Sequence, residues 1–191
     1  MRLQYLIIFI FIMGCASSII YKNTAINIYN NTDINTVKKI VLEKLKKQYK
    51  EAIPITAKGI HWTCGKNPKG EIRADFNGDR IEDLAIIIRI GWVGKHEYGD
   101  LYNYRFLALL SNGKKGYKEY ILCEDYDAHF PVGITLFIQE PGKIEETEAV
   151  DNPQTVIVKN PSIGIAYCEM ATQVYYWDEK EQNFKVLATS D

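Results

Sequence analysis

The sequence lacks an excess of charge of either sign, since it contains 23 lysines and arginines and 24 aspartates and glutamates. A nucleic-acid-binding protein normally has a basic face, so this balance argues against nucleic acid as a partner. Glycine (13 residues) and proline (6 residues) are too scarce for a collagen-like or low-complexity chain. The 191 residues are 47% hydrophobic, which is ample apolar content for the core of a globular chain.

Catalytic signatures are missing as well. The sequence contains no Gly-x-Ser-x-Gly elbow, no His-Glu-x-x-His pair and no glycine-rich phosphate loop. His61 and Cys64 are three positions apart in a predicted strand, which places this thiol and its candidate base on opposite faces. We therefore expect no catalytic residue, and we expect that the protein is not an enzyme.

Long apolar runs are also scarce, and the most prominent one lies at the start of the chain. Arg2 precedes an apolar run over residues 3–13, which is followed by Gly14 and Cys15. A positive charge followed by roughly ten apolar residues is typical of a signal peptide. The run is shorter than the ~20 residues of a membrane-spanning helix, and an uncleaved membrane helix is the alternative interpretation.

The end of this run, Ile-Met-Gly-Cys at residues 12–15, resembles the bacterial lipobox. The resemblance implies cleavage before Cys15, diacylglycerol on its thiol and acylation of the new amino terminus, for example by palmitate. Ala16 resembles the residue found at this position in lipoproteins that are sent to the outer membrane of Gram-negative cells. In a Gram-positive cell the anchor would hold the protein on the outer face of the plasma membrane.

These features predict an exported, lipid-anchored protein of the bacterial cell envelope. We expect a lipoprotein signal peptide over residues 1–14, a lipidated tether over 15–32 and a single α+β domain over 33–191. The tether is rich in Asn, Ser and Thr, and alternation over residues 25–29 would permit a short edge strand.

Residues 34–51 predict an amphipathic helix. Asp33 is a good N-cap residue, and Pro54 follows the segment as a stop signal. Apolar residues recur at helical spacing at Ile34, Val37, Val41, Leu45 and Tyr49. The lysine-rich outer face is interpreted as solvated, with contact to anionic lipid headgroups as the alternative.

After Pro54 the sequence changes to short β-prone runs separated by turn signals. The spacing leaves no room for helical crossovers, so the sheet should be mainly antiparallel and the fold α+β. The run of isoleucines at residues 86–88 suggests a central strand that is covered on both faces. Strands are predicted near residues 59–64, 71–74, 84–91, 103–111, 117–123, 133–139, 155–159, 163–169, 172–178 and 183–189.

One segment has the residue pattern of a metal-binding loop. Oxygen-bearing side chains lie at positions 1, 3, 5 and 9 of a loop that leads into a strand, and position 7 would donate its backbone carbonyl. This is the spacing of an EF-hand-type loop, and hard cations such as Ca²⁺ prefer six to eight oxygen ligands. The predicted metal ligands are Asp75, Asn77, Asp79, Ile81 (through its carbonyl) and Asp83.

The loop resembles more closely the repeats of FG-GAP and VCBS-type proteins, whose core reads Asp-Phe-Asn-Gly-Asp-Gly-x-x-Asp-Leu. The resemblance continues through residues 106–117, and it implies a calcium-binding loop with a blade-like hairpin around residues 84–123. Because the motif occurs once in the sequence, a complete β-propeller is not expected.

Arg80 departs from both patterns, which have glycine at this position. A residue other than glycine at positive φ costs about 1 kcal/mol, and Arg80 places a positive charge beside the expected ion. Three interpretations stay open: calcium binding, a metal-free acidic turn held by hydrogen bonds or by Arg80, and another ion.

Three thiols remain after the predicted cleavage, and an exported domain favours disulfides. Because Cys123 and Cys168 both lie at the ends of predicted strands, we predict that these two form a disulfide.

Aromatic residues are abundant, and residues 91–103 are the first candidate for a contact surface with a protein or glycan. The sequence favours a calcium-stabilised domain with a binding or structural role. The alternative is an inhibitor or accessory subunit of an envelope hydrolase.

Overall fold

The computed structural model describes residues 27–30, 32–49, 51–56, 67–96, 99–113, 116–127, 133–147, 150–167 and 171–189. The predicted signal peptide, Cys15 and the predicted strand at 59–64 lie outside these residues. In the described ranges, no helix is long and apolar enough to cross a membrane.

The described chain forms one helix and a series of antiparallel strands, so the predicted α+β class, mainly antiparallel β, is confirmed. The helix is α1 (Ile34–Gln48). The strands are β1 (Asn27–Asn30), β2 (Ile53–Pro54), β3 (Glu71–Ala74), β4 (Asp83–His96), β5 (Gly99–Ser111), β6 (Gly116–Asp127), β7 (Ile134–Gln139), β8 (Gly142–Glu145), β9 (Thr155–Val158), β10 (Ser162–Tyr167), β11 (Ala171–Asp178) and β12 (Asn183–Thr189).

Helix α1 begins as predicted and ends earlier than predicted. The Asp33 carboxylate accepts hydrogen bonds from the backbone N–H groups of Asn35 and Thr36, which are otherwise without helical partners. The predicted end at residue 51 is wrong, because the backbone of Tyr49 is already extended. The Tyr49 side chain instead contacts Arg105. Nη2 of Arg105 donates to the Tyr49 hydroxyl at 2.7 Å.

Two main sheets are present among the described strands. The first has the order β1-β6-β5-β4-β2, with β3 also paired to β4, and the second has the order β12-β11-β10-β7. Strands β4, β5 and β6 follow one another as an antiparallel meander over the region, around residues 84–123, that is predicted to be blade-like. Strand β1 shows that the optional edge strand near residues 25–29 does form, at Asn27–Asn30.

The first sheet is covered on both faces, as the isoleucine run predicts. Ile86 and Ile88 pack in the cluster that contains the apolar face of α1. Ile87 lies on the opposite face, in a cluster shared with β7, β10, β11 and β12 of the second sheet. All three are at most 3% exposed, so β4 is the central strand between the helix and the second sheet.

No strand is predicted between residues 139 and 155, and the structure corrects this expectation. Residues 142–145 form β8, which pairs with β9 as a separate two-stranded sheet. Ile144 and Val158 are buried against Val174 and Leu187 on the outer face of the second sheet. The described layers therefore run from α1 through the two main sheets to the β8–β9 hairpin.

Candidate functional site

The predicted metal-binding loop connects β3 to β4, and the register pair Ala74 with Asp83 closes its base. Asp75, the first predicted ligand, accepts three backbone hydrogen bonds within the loop. The donors are the N–H groups of Gly78 at 2.7 Å, Asp79 at 3.1 Å and Arg80 at 2.7 Å. The Asp75 carboxylate thus holds the turn in place from inside.

Asn77 and Asp79 connect the loop to the turn between β5 and β6. Asn77 Nδ2 donates to the carbonyl of Ser111 at 2.8 Å, and Asp79 Oδ2 accepts from the N–H of Gly113 at 3.3 Å. Within the loop, Asp79 Oδ1 accepts from the N–H of Ile81 at 2.9 Å. These two loops therefore form one connected edge of the first sheet.

Asp83 is fully buried, with 0% exposure, at the start of β4. Its carboxylate accepts from the N–H groups of Phe76 at 2.8 Å, Asn77 at 3.3 Å and Ser111 at 2.6 Å. Burial raises the pKa of Asp83 to about 8, while the backbone donors act in the opposite direction and the Asp79 carboxylate raises it further. Asp83 therefore links the loop to β5.

The backbone of the loop turns where the sequence pattern places a turn. Gly78 has a φ of 79° and Arg80 a φ of 67°, so Arg80 is in the conformation that glycine would adopt more easily. A Cβ at Gly78 would lie 2.7 Å from Nδ2 of Asn160, which comes from the second sheet's side of the molecule. The loop is thus packed against both sheets.

The positions of the loop oxygens show how far its residues suit Ca²⁺. Among the described residues, no group of three or more His, Cys, Asp or Glu side chains is placed to share a metal ion. Asp75, Asp79 and Asp83 are thus on one loop, but their oxygens serve backbone amides instead of one common point. Their chemistry still suits a hard cation, since a carboxylate can accept about four interactions.

Arg80 does not take the place of a cation in this structure. Its side chain is exposed, and it forms no ion pair with another described residue. Asp75 and Asp79 likewise have no ion-pair partner in the ranges that the structure covers. Among the described residues, the carboxylates of Asp75 and Asp79 therefore interact with backbone N–H groups and with no cation.

A cleft of about 290 Å³ adjoins the loop. We call it the inter-sheet cleft, since its walls come from the loop, from the β5–β6 region and from the β11–β12 turn. It is lined by Asn77, Asp79, Leu110, Ser111, Asn112, Gly113, Lys118, Tyr120, Trp177 and Gln182.

Sequence reasoning found the loop and missed the rest of this cleft. Lys118 and Tyr120 lie in a predicted strand with no local feature that marks them, and Gln182 lies between two predicted strands. Trp177 belongs to an aromatic run whose side chains divide between core and surface: Tyr175 is 3% exposed, whereas Trp177 is half-buried. Aromatic abundance was the available signal, and it could not show which rings face the cleft.

Cys123 is disulfide-bonded. Its predicted partner, Cys168, lies outside the described residues, so the pairing itself stays a prediction. Two contacts support it. Cys123 is the register partner of Phe106, and the Phe106 ring is 6.5 Å from the ring of Tyr167, which directly precedes Cys168.

The predicted contact segment 91–103 forms the far end of the β4–β5 hairpin. Strand β2 pairs with β4 only at Ile88 and Arg89, and β6 pairs with β5 only from Asn103 onward. Beyond these points the two strands pair only with each other among the described strands. Trp92 is 58% exposed and Val93 43% exposed on this arm.

Comparison with protein-family models, with curated proteins and with solved structures found no match to this chain. The resemblances to the lipobox and to FG-GAP repeats therefore depend on the residues quoted for them, and any function has to be argued from the sites themselves.

Proposed function

We propose that this chain is a lipid-anchored protein of the bacterial cell envelope with a binding or structural role, and that Ca²⁺ stabilises its β3–β4 loop. The anchor is supported by the lipobox-like residues 12–15 and by the apolar run before them. The observation that carries the calcium proposal is the set of carboxylates on the loop that no cation of the described chain pairs with.

The proposed ligands are the side chains of Asp75, Asn77, Asp79 and Asp83 and the carbonyl of Ile81. When bound, Ca²⁺ would supply the positive charge that these carboxylates lack. Because this loop connects β3, β4 and the β5–β6 turn, holding it stabilises the edge where the two main sheets meet. An ion that binds only the folded state would add about 2.7 kcal/mol at a hundredfold excess over its Kd.

Thermal unfolding tests the calcium proposal. Full-length protein in detergent is melted in about 1–5 mM calcium, in magnesium and in chelator, since extracellular sites often bind at about 10⁻⁴–10⁻³ M. We expect a higher Tm in calcium alone, lost in Asp79→Ala and kept in the matched loop variant Glu82→Gln. Equal Tm values with calcium and chelator would refute calcium binding and leave the loop as a turn held by its own hydrogen bonds.

Metabolic labelling tests the anchor. Cells that express the chain are fed a clickable palmitate analogue, and their membranes are separated from soluble fractions. We expect palmitate label and the cleaved mass for the wild type, and loss of both in Cys15→Ser. A wild type that carries no label and keeps the uncleaved mass would instead indicate an N-terminal membrane helix.

The second candidate, an inhibitor or accessory subunit of an envelope hydrolase, is favoured by two exposed apolar side chains on the β4–β5 hairpin. Trp92 and Val93 lie on a two-stranded arm that extends past its neighbours in the sheet, and exposed Trp is frequent at binding hot spots. A pull-down from solubilised envelopes should then recover one stoichiometric hydrolase with the wild type and none with Trp92→Ser. Recovery of no enzyme would favour the first candidate.

A further inference from the structure

We propose that the inter-sheet cleft binds a neutral saccharide of one or two rings. The inference deepens the binding role proposed above and specifies the ligand class. It is carried by the walls of the cleft, by their unpartnered polar groups and by their balance of charge.

Two lining residues, Tyr120 and Trp177, belong to an aromatic cluster that joins the two main sheets. Tyr120 of β6 meets Trp177 of β11 at 5.5 Å between ring centroids, and Phe184 of β12 lies 5.4 Å from Trp177. Both contacts are edge-to-face, and Trp177 and Phe184 are also register partners across β11 and β12. The half-buried Trp177 is therefore fixed before any ligand arrives, which reduces the entropy lost on binding.

The polar lining has hydrogen-bonding groups to spare. Within the described part of the chain, the Asn112 side-chain amide, the Lys118 ammonium group and the Tyr120 hydroxyl have no hydrogen-bond or ion-pair partner. Burial raises the pKa of Tyr120, so its hydroxyl stays a donor at neutral pH. Amide and hydroxyl groups both donate and accept, which matches the dual character of sugar hydroxyls.

Charge and size narrow the ligand class. Asp79 and Lys118 are the two charged residues of the lining, and without bound calcium their formal charges sum to zero, which favours neither an anion nor a cation. The cleft volume of about 290 Å³ is at the lower end of the range of about 300–1,000 Å³ for ligand sites. An aromatic ring beside hydrogen-bond donors and acceptors, in this volume and with no net charge in the lining, fits a small uncharged sugar.

The test is ligand-observed NMR with titration calorimetry on the full-length chain, in a detergent without a sugar headgroup. The probes are glucose, N-acetylglucosamine and their β-linked disaccharides, with glucosamine and glucuronate as charged comparators. We expect saturable binding of at least one neutral sugar and weaker binding of both charged ones. Asn112→Ala or Lys118→Met should each weaken it roughly three- to tenfold, the cost of one or two hydrogen bonds.

Lys39→Met, on the exposed side of α1, is the matched control and should bind like the wild type. The inference is overturned if the folded wild type binds none of these sugars, if a charged sugar binds more tightly, or if both cleft variants bind unchanged. Titrations in calcium and in chelator separate the two proposals, because sugar binding in chelator supports the cleft even where calcium has no effect. A calcium-stabilised chain that binds no sugar would retain the metal proposal alone.

Discussion

At the scale of single residues, Arg80 combines a strained backbone with an exposed positive charge on the β3–β4 loop. Its φ of 67° lies in the left-handed region, where a side chain crowds the backbone. Its N–H donates to Asp75 at 2.7 Å, so the strained conformation is held by the loop's own hydrogen bonds. The backbone of this residue is structural, whereas its exposed guanidinium makes no ion pair within the described chain.

Substitution of Arg80 separates strain from charge. We expect the free energy of unfolding of Arg80→Gly, measured in urea, to exceed that of Arg80→Ala by about 1 kcal/mol, because glycine removes the left-handed strain that alanine keeps. Both variants remove the positive charge, so both should gain more Tm from calcium than the wild type does. Equal stability of the two variants would show that the loop backbone is unstrained at this position.

At the scale of elements, the disulfide of Cys123 anchors β6. Pairing with Cys168 would close a loop of roughly 45 residues and connect β6 of the first sheet to the end of β10 in the second. In the chain-entropy account, such a closure stabilises the folded state by about 4 kcal/mol.

Peptide mapping under non-reducing conditions should therefore recover Cys123 linked to Cys168, with Cys64 unlinked. Cys168→Ser should lower the free energy of unfolding by about 2–4 kcal/mol, whereas Cys64→Ser should change it little. A Cys123–Cys64 peptide would contradict the predicted pairing and reverse the ranking of the two variants.

The β11–β12 hairpin provides an element whose stability depends on pH. Asp178 Oδ1 accepts from the N–H groups of Lys180 at 2.9 Å and Glu181 at 3.1 Å, and Oδ2 lies 2.6 Å from the Lys185 ammonium group. The Lys185 hydrogen bond, followed by the Glu181 N–H, lowers the pKa of the Asp178 carboxyl below its ordinary value.

A carboxyl with a lowered pKa stabilises the fold above its unfolded value of about 3.9, and this contribution is lost as pH falls through the lowered folded value. We expect Asp178→Asn to be less stable than the wild type at neutral pH. As pH falls below about 4, the variant should lose less stability than the wild type does. The effect should be small because solvent screens this partly exposed pair. Urea unfolding between about pH 2 and 7 measures this difference in stability. Glu140→Gln is the control. Parallel pH profiles of Asp178→Asn and the wild type would contradict the assignment.

At the scale of the whole molecule, the first sheet serves two cores at once. Ile86 faces α1 and Ile87 faces the second sheet, with 3% and 0% exposure. We expect Ile86→Ala and Ile87→Ala each to destabilise the protein by about 2–5 kcal/mol, since each leaves a cavity in a different core. Ile157, at 78% exposure, is the matched control, and Ile157→Ala should be close to neutral. A neutral result at Ile86 would mean that α1 does not cover the sheet in solution.

Much of the fold could be predicted from the sequence, because its signals are local. The Asp33 cap and the apolar spacing after it predict where α1 begins, and β-prone runs between turn signals predict most strands within a few residues. The end of α1 was missed because Tyr49 leaves the helix to meet Arg105, a contact over 56 positions. Strand β8 was missed because a polar sequence hides one buried residue, Ile144, whose partners come from other strands.

The candidate site also has one part that local sequence predicts and another that only tertiary contacts decide. The spacing of Asp75, Asn77 and Asp79 predicts a tight polar turn, since a side chain can reach backbone amides only a few residues away. Tertiary structure alone decides that Asp83 is buried against the end of β5, that β4 lies between two cores, and that Lys118 and Trp177 border one cleft. Local patterns act over a few residues, whereas burial and the meeting of two sheets depend on contacts between segments far apart in the chain.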